Sequence, residues 1–171
     1  PEEDHMAAMR ALVDDMQAGA VSTLIILGGN PVYNTPAELD FEAALGQVDL
    51  RVCLTAAQNE TSWLCHWVIP ETHFLESWGD VRGHDGTLSV VQPLILPLYN
   101  GRSAWQMMDV LLGGEGTQPL SIIKDAWEAR YEGEDFDRYW RQTLAAGMVA
   151  NSAYPRLDVA PNGQGIPAQE Y

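Results

Sequence analysis

The sequence predicts an α/β domain in which helices cover both faces of a mostly parallel sheet. The first observation is the run Ser22–Leu27, which is apolar and partly β-branched, a composition typical of strands. Its apolar character is continuous rather than alternating, as in a strand covered on both faces. The second observation is a strand–helix–strand pattern from Val21 to Thr55, about the length of a βαβ unit. Because such crossovers are right-handed, the two strands should be parallel. Together they predict a Rossmann-like three-layer domain with Ser22–Leu27 as its central strand.

The loop that follows this strand is a candidate ligand site. It reads Gly28-Gly29-Asn30-Pro31, in which glycine and asparagine accept left-handed backbone angles and proline cannot continue a strand. Ligands bind at the carboxyl ends of strands in open α/β sheets. An ordinary strand–loop connection is the alternative interpretation, and the stretch itself does not decide between them.

The elements beside this strand follow from apolar spacing and capping residues. A first amphipathic helix stops at Gly19, and its apolar stripe comprises Met6, Met9, Leu12, Val13 and Met16. The run Thr35–Glu38 is a capping box that predicts the next helix. The buried face of that helix is predicted to hold Leu39, Ala43, Ala44 and Leu45. Leu50–Thr55 is predicted as the second strand.

Shorter strands are predicted in the middle of the chain. Asn59 should cap a short helix, and Trp67–Ile69 should form a third strand that Pro70 closes. A further strand is predicted at His73–Glu76. Thr87–Val91 is predicted to pair with Val81–Gly83 or to lie at the sheet edge. Gln92–Leu98 is apolar but has two prolines, which favours an extended crossing segment over a central strand.

Three helices are predicted in the last third of the chain. Ser103 and Gln106 form a second capping box, and the buried face of its helix should comprise Trp105, Met108, Leu111 and Leu112. The other helices are predicted at Leu120–Tyr131 and Glu134–Ala146, the last one stopped by Gly147. Prolines and glycines after Asn151 predict a tail or interdomain linker over 151–171, following a domain over 1–150.

Composition excludes several classes of function. The 171 residues suit one domain, and 46% of them are apolar. A net charge of −15 with nine Lys and Arg provides no basic footprint for nucleic acid and disfavours anionic membrane surfaces. No apolar run approaches the ~20 residues that span a bilayer, so no direct membrane insertion is predicted. The start at Pro1, within a helical pattern, suggests a piece of a longer protein.

The titratable side chains allow functional and structural interpretations. Cys53 and Cys65 are too few for an iron–sulfur cluster, which usually needs four Cys ligands, and Cys53 is predicted in the core. Zinc accepts Cys and His ligands, but the spacing of Cys65, His66, His73 and His84 matches no closed site, so no metal is predicted. Three carboxylates, Glu60, Glu76 and Asp80, follow separate predicted strands. They suit acid–base chemistry or, as the favoured alternative, hydrogen bonds to backbone donors. No catalytic residue is assigned.

Known nucleotide and hydrolase motifs are missing from the sequence. There is no G-x-G-x-x-G after a strand, no G-x-x-x-x-G-K-[ST], no G-x-S-x-G elbow and no H-E-x-x-H helix. Four other segments occur in a recognisable order, namely Leu27–Pro31 (LGGNP), Glu60–Pro70 (ETSWLCHWVIP), Leu75–Asp80 (LESWGD) and Asp85–Arg102 (DGTLSVVQPLILPLYNGR).

This order resembles the nucleotide-binding α/β domain of the molybdopterin oxidoreductase superfamily, over roughly Met6 to Gly147. There a strand ending in G-x-N-P is followed by E-T-A, A-D-x-V-L-P, L-E-x-x-G and E-G-R-x-Q segments. The resemblance is closer to one branch, the molybdopterin-oxidoreductase-like iron–sulfur subunit of alternative complex III. The segments that carry this closer match are Trp78–Asp80, Asp85–Thr87, Gln92–Ile95, Pro97–Tyr99 and Gly101–Ser103.

Two segments depart from the pattern of the cofactor-binding members. Cys65-His66 replaces Ala-Asp, and Asp85-Gly86-Thr87 replaces Glu-Gly-Arg, so the Arg is gone. The complex III branch is understood to keep the fold without the molybdenum cofactor and to carry iron–sulfur clusters in a separate domain. The resemblance therefore implies a scaffold domain that holds no cofactor itself. The matching cofactor-proximal positions, read as vestigial, are Gly28, Gly29, Asn30, Glu60 and Thr61.

The resemblance also implies a setting for the longer protein. It would belong to a membrane-associated, quinol-oxidising complex on the periplasmic side of a bacterial inner membrane. The partners would be other domains of the same chain and other subunits. One alternative is a domain that binds molybdopterin guanine dinucleotide in an active molybdenum oxidoreductase. Another is an unrelated α/β domain that binds a small anion or nucleotide at Gly28–Asn30.

Overall fold

The structure is a computed structural model that describes residues 4–157. It is a mixed α/β fold with a parallel sheet, which confirms the predicted fold class and agrees with a Rossmann-like domain. The strands are β1 (Thr23–Leu27), β2 (Leu50–Thr55), β3 (Trp67–Pro70), β4 (Gly79–Arg82) and β5 (Leu88–Val91). The α-helices are α1 (His5–Gln17), α2 (Pro31–Asn34), α3 (Phe41–Leu45), α4 (Glu60–Trp63), α5 (Ala104–Leu111), α6 (Pro119–Glu128) and α7 (Phe136–Ala146).

The main sheet has the order β1-β2-β3, and both pairs of strands are parallel. Thr23 lies opposite Leu50, and Val52 lies opposite Trp67. The predicted strand at Ser22–Leu27 is therefore present as β1, but β2 is the central strand of the three that residues 4–157 form. A continuous apolar run indicates that other elements pack on both faces of a strand. It does not define the position of that strand in the sheet.

The core around this sheet lies between α1, α3 and the strands. Its buried members include Met16 and Leu45, and Leu24 and Ile26 of β1 pack against it. Helices α1 and α3 consequently cover one face of the sheet. Asp4 caps α1 by accepting hydrogen bonds from two backbone N–H groups, and Gly19 follows the helix with a φ of +69°, as predicted for a stop.

A second core joins a small antiparallel hairpin to the last two helices. Strands β4 and β5 pair with Gly79 opposite Val91, which confirms one of the two predicted arrangements for this segment. The buried residues of this core are Val90, Ile123, Trp127, Phe136 and Trp140. The indole N–H of Trp127 donates to Asp80 Oδ2 at 2.7 Å, so α6 is hydrogen-bonded to the hairpin. Gly147 ends α7 with a φ of +75°.

Three local predictions were wrong. Thr35–Glu38 does not form a capping box, because Pro36 is extended and only a 3₁₀ turn (Ala37–Leu39) follows before Asp40 caps α3. His73–Glu76 is a turn rather than a strand, because the Glu76 carboxylate accepts from the His73 N–H at 2.9 Å. The apolar stripe of α5 is not buried, because every residue of that helix is partly or largely exposed.

The chain beyond α7 returns to the hairpin. The Val149 N–H donates to the Leu88 carbonyl at 2.8 Å, and the Leu88 N–H donates to Ser152 Oγ at 2.9 Å. The predicted tail over 151–171 lies mostly outside the described residues, and the boundary at 150 stays a prediction. Among residues 4–157, no helix has the length and apolar character that a membrane crossing requires.

Candidate functional site

The candidate site lies at the carboxyl edge of the parallel sheet, where β1 turns into α2. Gly28 and Gly29 have φ values of +73° and +78°, a left-handed region that side chains with a Cβ rarely adopt. The Gly28 N–H donates to the Leu54 carbonyl at 2.8 Å, which continues the β1–β2 pairing by one residue. The chain then reverses, and Asn30 comes to face α4 from the neighbouring crossover.

Asn30 and Thr61 join the two crossovers through their side chains. The Thr61 hydroxyl donates to Asn30 Oδ1 at 2.7 Å, and the Thr61 backbone N–H donates to the same oxygen at 3.2 Å. The Val32 N–H donates to Thr61 Oγ1 at 3.0 Å. The Asn30 Nδ2 amide donates to Glu60 Oε2 at 2.6 Å. We call Asn30, Val32, Glu60 and Thr61 the loop clasp; both polar atoms of the Asn30 side chain are engaged within it.

Asn59 holds the start of α4 in place for this contact. Its side-chain oxygen accepts from the Ser62 N–H at 2.9 Å, and Ser62 Oγ accepts from the Asn59 N–H at 2.8 Å, the reciprocal pattern of a capping box. The Asn59 amide also reaches the Gly29 carbonyl at 3.4 Å. The predicted Asn59 cap is confirmed, and it contacts the glycine loop as well as its own helix.

The structure thus brings together all five residues that the sequence singled out. Gly28 and Gly29 form the turn, Asn30 and Thr61 bond to each other, and Glu60 bonds to Asn30. Thr61 is completely buried. Their meeting at one sheet edge is a finding, whereas a cofactor-binding role for them stays a prediction.

Glu71 is a residue of this edge that sequence reasoning missed. It follows β3 directly, and a Cβ added to Gly28 would lie 3.7 Å from Glu71 Oε2, so the carboxylate faces the glycine loop. Burial raises the pKa of Glu71. Its position immediately after an apolar strand is the signal that could have identified it, by the same rule that identified Gly28–Asn30.

The charge of the site is negative. The Asn30 amide, and then the backbone N–H of Glu60 itself, lower the pKa of Glu60 and favour its ionised form. Glu71 adds a second carboxyl group on the side of Gly28. No Lys or Arg occurs in the segments that form this edge, residues 28–32, 59–61 and 71.

These residues fit a pyrophosphate or another phosphate-rich group poorly. Anion sites in such loops need free backbone N–H groups or cationic side chains. Here the N–H groups of Gly28, Val32 and Thr61 donate to protein oxygens, and the carboxyl groups of Glu60 and Glu71 lie beside the loop. Only the N–H groups of Gly29 and Asn30 in this loop have no acceptor within residues 4–157. A cleft of about 320 Å³ lies beside the loop. Its surface is mostly apolar, from residues such as Met6, Met9 and Pro31, and it also includes the polar side chains of His5, Asn30, Asn34 and Thr35.

The other candidate carboxylates have structural partners. Glu76 accepts from the backbone N–H groups of His73 and Leu98, at 2.9 and 3.2 Å. Asp80 accepts from the Trp127 indole. With Glu60 bonded to Asn30, each of the three carboxylates binds a different donor, which agrees with the favoured structural interpretation.

Three of the four candidate metal ligands are likewise bonded within the protein. His66 Nδ1 accepts from the Arg51 N–H at 3.1 Å, His73 Nδ1 accepts from the Leu75 N–H at 3.3 Å, and the Cys65 thiol donates to the Thr61 carbonyl at 3.4 Å. Residues 4–157 contain no group of three or more His, Cys, Asp or Glu side chains suited to a metal ion.

Cys53 is a fully buried core residue, as predicted. Burial is the main cause that raises the pKa of its thiol to about 11, and the neighbouring Cys65 and Glu71 add to the effect. Burial also raises the pKa of Cys65. Neither thiol is therefore activated as a nucleophile at neutral pH.

No protein-family model matches the chain. The chain is similar to a protein of Nitratidesulfovibrio vulgaris that is named menaquinone reductase, molybdopterin-binding-like subunit. The two are 29% identical over 144 residues, which are 80% of this chain and 20% of the relative, so the chain spans about a fifth of that relative's length. This similarity supports a relationship to the molybdopterin-oxidoreductase-like proteins at the level of the family.

Proposed function

We propose that this chain is a non-catalytic scaffold domain of a molybdopterin-oxidoreductase-like subunit in a membrane-associated, quinone-linked electron-transfer complex. The domain itself holds neither a molybdenum cofactor nor an iron–sulfur cluster. Clusters would lie in another domain of the same polypeptide, on the periplasmic side of a bacterial inner membrane. The partners of the domain are the rest of that polypeptide and the other subunits of the complex.

The observation that carries this proposal is the loop clasp. A loop that binds a nucleotide must offer polar atoms to it, but both polar atoms of the Asn30 side chain bond to α4. Thr61 has no exposed surface to offer. A ligand that used these side-chain atoms would have to break these bonds and to approach the carboxyl groups of Glu60 and Glu71.

The two segments that depart from the superfamily pattern support the same conclusion. Asp85-Gly86-Thr87 forms a turn in which the Asp85 carboxylate accepts from the Thr87 N–H at 3.0 Å and from the Thr87 hydroxyl at 2.9 Å. A turn of this kind needs no arginine and provides none for a ligand. Cys65, the other substituted position, donates to the Thr61 carbonyl behind the clasp.

The relative's name supports the proposed place of the domain in a quinone-linked complex. It describes a molybdopterin-binding-like subunit of a menaquinone reductase, which links this type of domain to a quinone-reacting complex. The relative is named for reduction of a quinone, whereas the sequence resemblance implies oxidation of a quinol. The proposal therefore states that the complex reacts with a quinone or quinol and does not assign which of the two it consumes. Membership of alternative complex III stays a prediction.

Metal analysis of the full-length protein tests the proposal. We expect molybdenum and tungsten well below one atom per polypeptide and no fluorescent pterin product after oxidation. Either metal in stoichiometric amount together with a pterin would overturn the scaffold assignment in favour of an active oxidoreductase domain. Nucleotide titration followed by calorimetry addresses the remaining alternative, since heat of binding with a nucleotide that Asn30→Ala abolishes would make Gly28–Asn30 a ligand site.

A further inference from the structure

We propose that an apolar surface on this domain is the docking site for another domain of the same, longer polypeptide. The surface comprises the irregular segment Pro93–Tyr99, which bends at Leu94 and Ile95 rather than running extended as predicted, and helix α5 with Leu112; we call it the 93–112 surface. This inference rests on the proposed function, because it assigns the scaffold role to a particular face. It explains why the amphipathic helix α5 is exposed although its sequence predicts burial.

The side chains of this surface are highly exposed although most of them are apolar. Leu94, Leu96 and Leu112 are 77%, 86% and 83% exposed, and Tyr99 is 88% exposed. Trp105, Met108 and Leu111 of α5 extend the same apolar character along the helix. Single exposed apolar residues are common on proteins, whereas a contiguous apolar segment and an adjoining apolar helix are typical of an interaction surface.

Charge is almost absent from this part of the chain. Residues 93–112 contain two charged residues, Arg102 and Asp109, whereas 19% of all residues are charged. The Asp109 carboxylate is bonded within the chain, since it accepts from the Gly116 and Thr117 N–H groups at 3.1 and 2.8 Å. The cores of protein–protein interfaces are depleted in charged side chains in the same way. Tyr99 adds a strained feature, since its φ of +54° lies in the left-handed region.

A groove runs between the segment Pro93–Tyr99 and the start of α6. It has a volume of about 710 Å³ and is lined by apolar residues that include Ile95, Leu96 and Leu120. Two charged side chains also line it, and both are bonded within the chain. Glu76 accepts from the His73 and Leu98 N–H groups, and Arg102 donates to the Asn100 carbonyl at 3.0 Å and to Asn100 Oδ1 at 2.9 Å. The groove therefore suits a neutral, mainly apolar occupant.

A polypeptide fits these properties better than a lipid surface does. The groove is concave and includes the amide side chains of Asn100, Gln106 and Gln118, whose N–H groups can donate to a backbone. The net charge of −15 opposes binding to anionic lipid headgroups. The matched segment is only 20% of the N. vulgaris relative, so a polypeptide of that length has ample chain to cover the surface.

Site-specific labelling of the full-length subunit tests this assignment. Leu96→Cys and Leu112→Cys place a thiol on the surface, and Asp15→Cys on the exposed side of α1 is the matched control. Maleimide labelling is followed by peptide mass spectrometry, which reads each introduced thiol separately from native cysteines. We expect labelling at positions 96 and 112 to be at least tenfold slower than at position 15 in the folded, monomeric subunit, and equal at all three in denaturant.

Labelling less than tenfold slower than the control would overturn the proposal. So would protection that is seen only in a dimer or only with other subunits present, because the occupant would then be a different chain. If a variant does not fold, carbene footprinting of the unsubstituted subunit measures the solvent accessibility of Leu96 and Tyr99 directly. Molybdenum content of the same preparation is an independent readout, so failure of the scaffold assignment is distinguishable from failure of the docking assignment.

Discussion

Removing the Thr61 hydroxyl should destabilise the domain, because that group makes two bonds of the loop clasp. Thr61→Val keeps the shape of the side chain. It deletes the bond to Asn30 Oδ1 and leaves the Val32 N–H without its acceptor. Each lost bond is worth about 1 kcal/mol, and an orphaned donor in a partly buried place adds about 1 kcal/mol. The expected loss is about 2–4 kcal/mol, which corresponds to a decrease in Tm of about 4–16 °C for a chain of this size.

Thermal unfolding followed by circular dichroism measures this effect, and urea unfolding gives the free energy directly. Thr61→Ser is the matched control, since it keeps the hydroxyl and removes only a methyl group, at a cost of about 1 kcal/mol. If Thr61→Val melts within 2 °C of the wild type, or if the two variants lose the same stability, the clasp does not hold the loop and the case against a ligand there weakens.

Three further predictions concern the glycine loop, the hairpin and the buried thiol. Gly29→Val should lower the free energy of unfolding by about 1–3 kcal/mol, because the φ of +78° is strained for a β-branched residue. Gly29→Asn should lose less, and equal losses would contradict the backbone argument. Asp80→Ala should cost about 1–3 kcal/mol by orphaning the Trp127 indole N–H, with Asp80→Asn closer to wild type in urea unfolding; no difference between the two would refute the bond's role. Because the pKa of the Cys53 thiol is raised from 9.0 to about 11 by folding, its contribution to stability is full below pH 9 and is lost as the pH rises through 9 to 11. Unfolding of Cys53→Ala should lack this component of the pH dependence, and identical alkaline profiles would show that the thiol is not responsible.

Local chemistry made the parallel sheet predictable. Ser22–Leu27 and Leu50–Thr55 are apolar runs bounded by glycine or polar residues, and the segment between them is long enough for one crossover. The carboxyl-end rule pointed to Gly28–Asn30 and to Glu60, whereas Thr61 was indicated only by the resemblance of its motif. The same rule applied to Trp67–Pro70 would have added Glu71. The loop's location was thus within reach of sequence reasoning.

The hydrogen bonds of that loop could not be predicted from the sequence, because they join residues that are 30 positions apart. Whether the Asn30 amide is free or bonded to Glu60 cannot be inferred from spacing along the chain, since it requires the relative position of two crossovers. The error at α5 has a different cause. Apolar periodicity indicates that a helix face is covered, but it does not show which segment covers it. Within residues 4–157, Trp105 and Leu111 stay exposed.

The loop clasp also changes the meaning of the matching motif residues. A ligand that recruits the Asn30 amide and the Thr61 hydroxyl must first break the bonds between α2 and α4, at a cost of about 3 kcal/mol. That cost alone lowers affinity by about a hundredfold relative to a loop with free polar atoms. Asn30 and Thr61 are useful to the fold whether or not a ligand binds, because they join two crossovers at the open edge of the sheet. Their presence in a G-x-N-P and E-T pattern is therefore compatible with a domain whose function is to hold other parts of a larger protein.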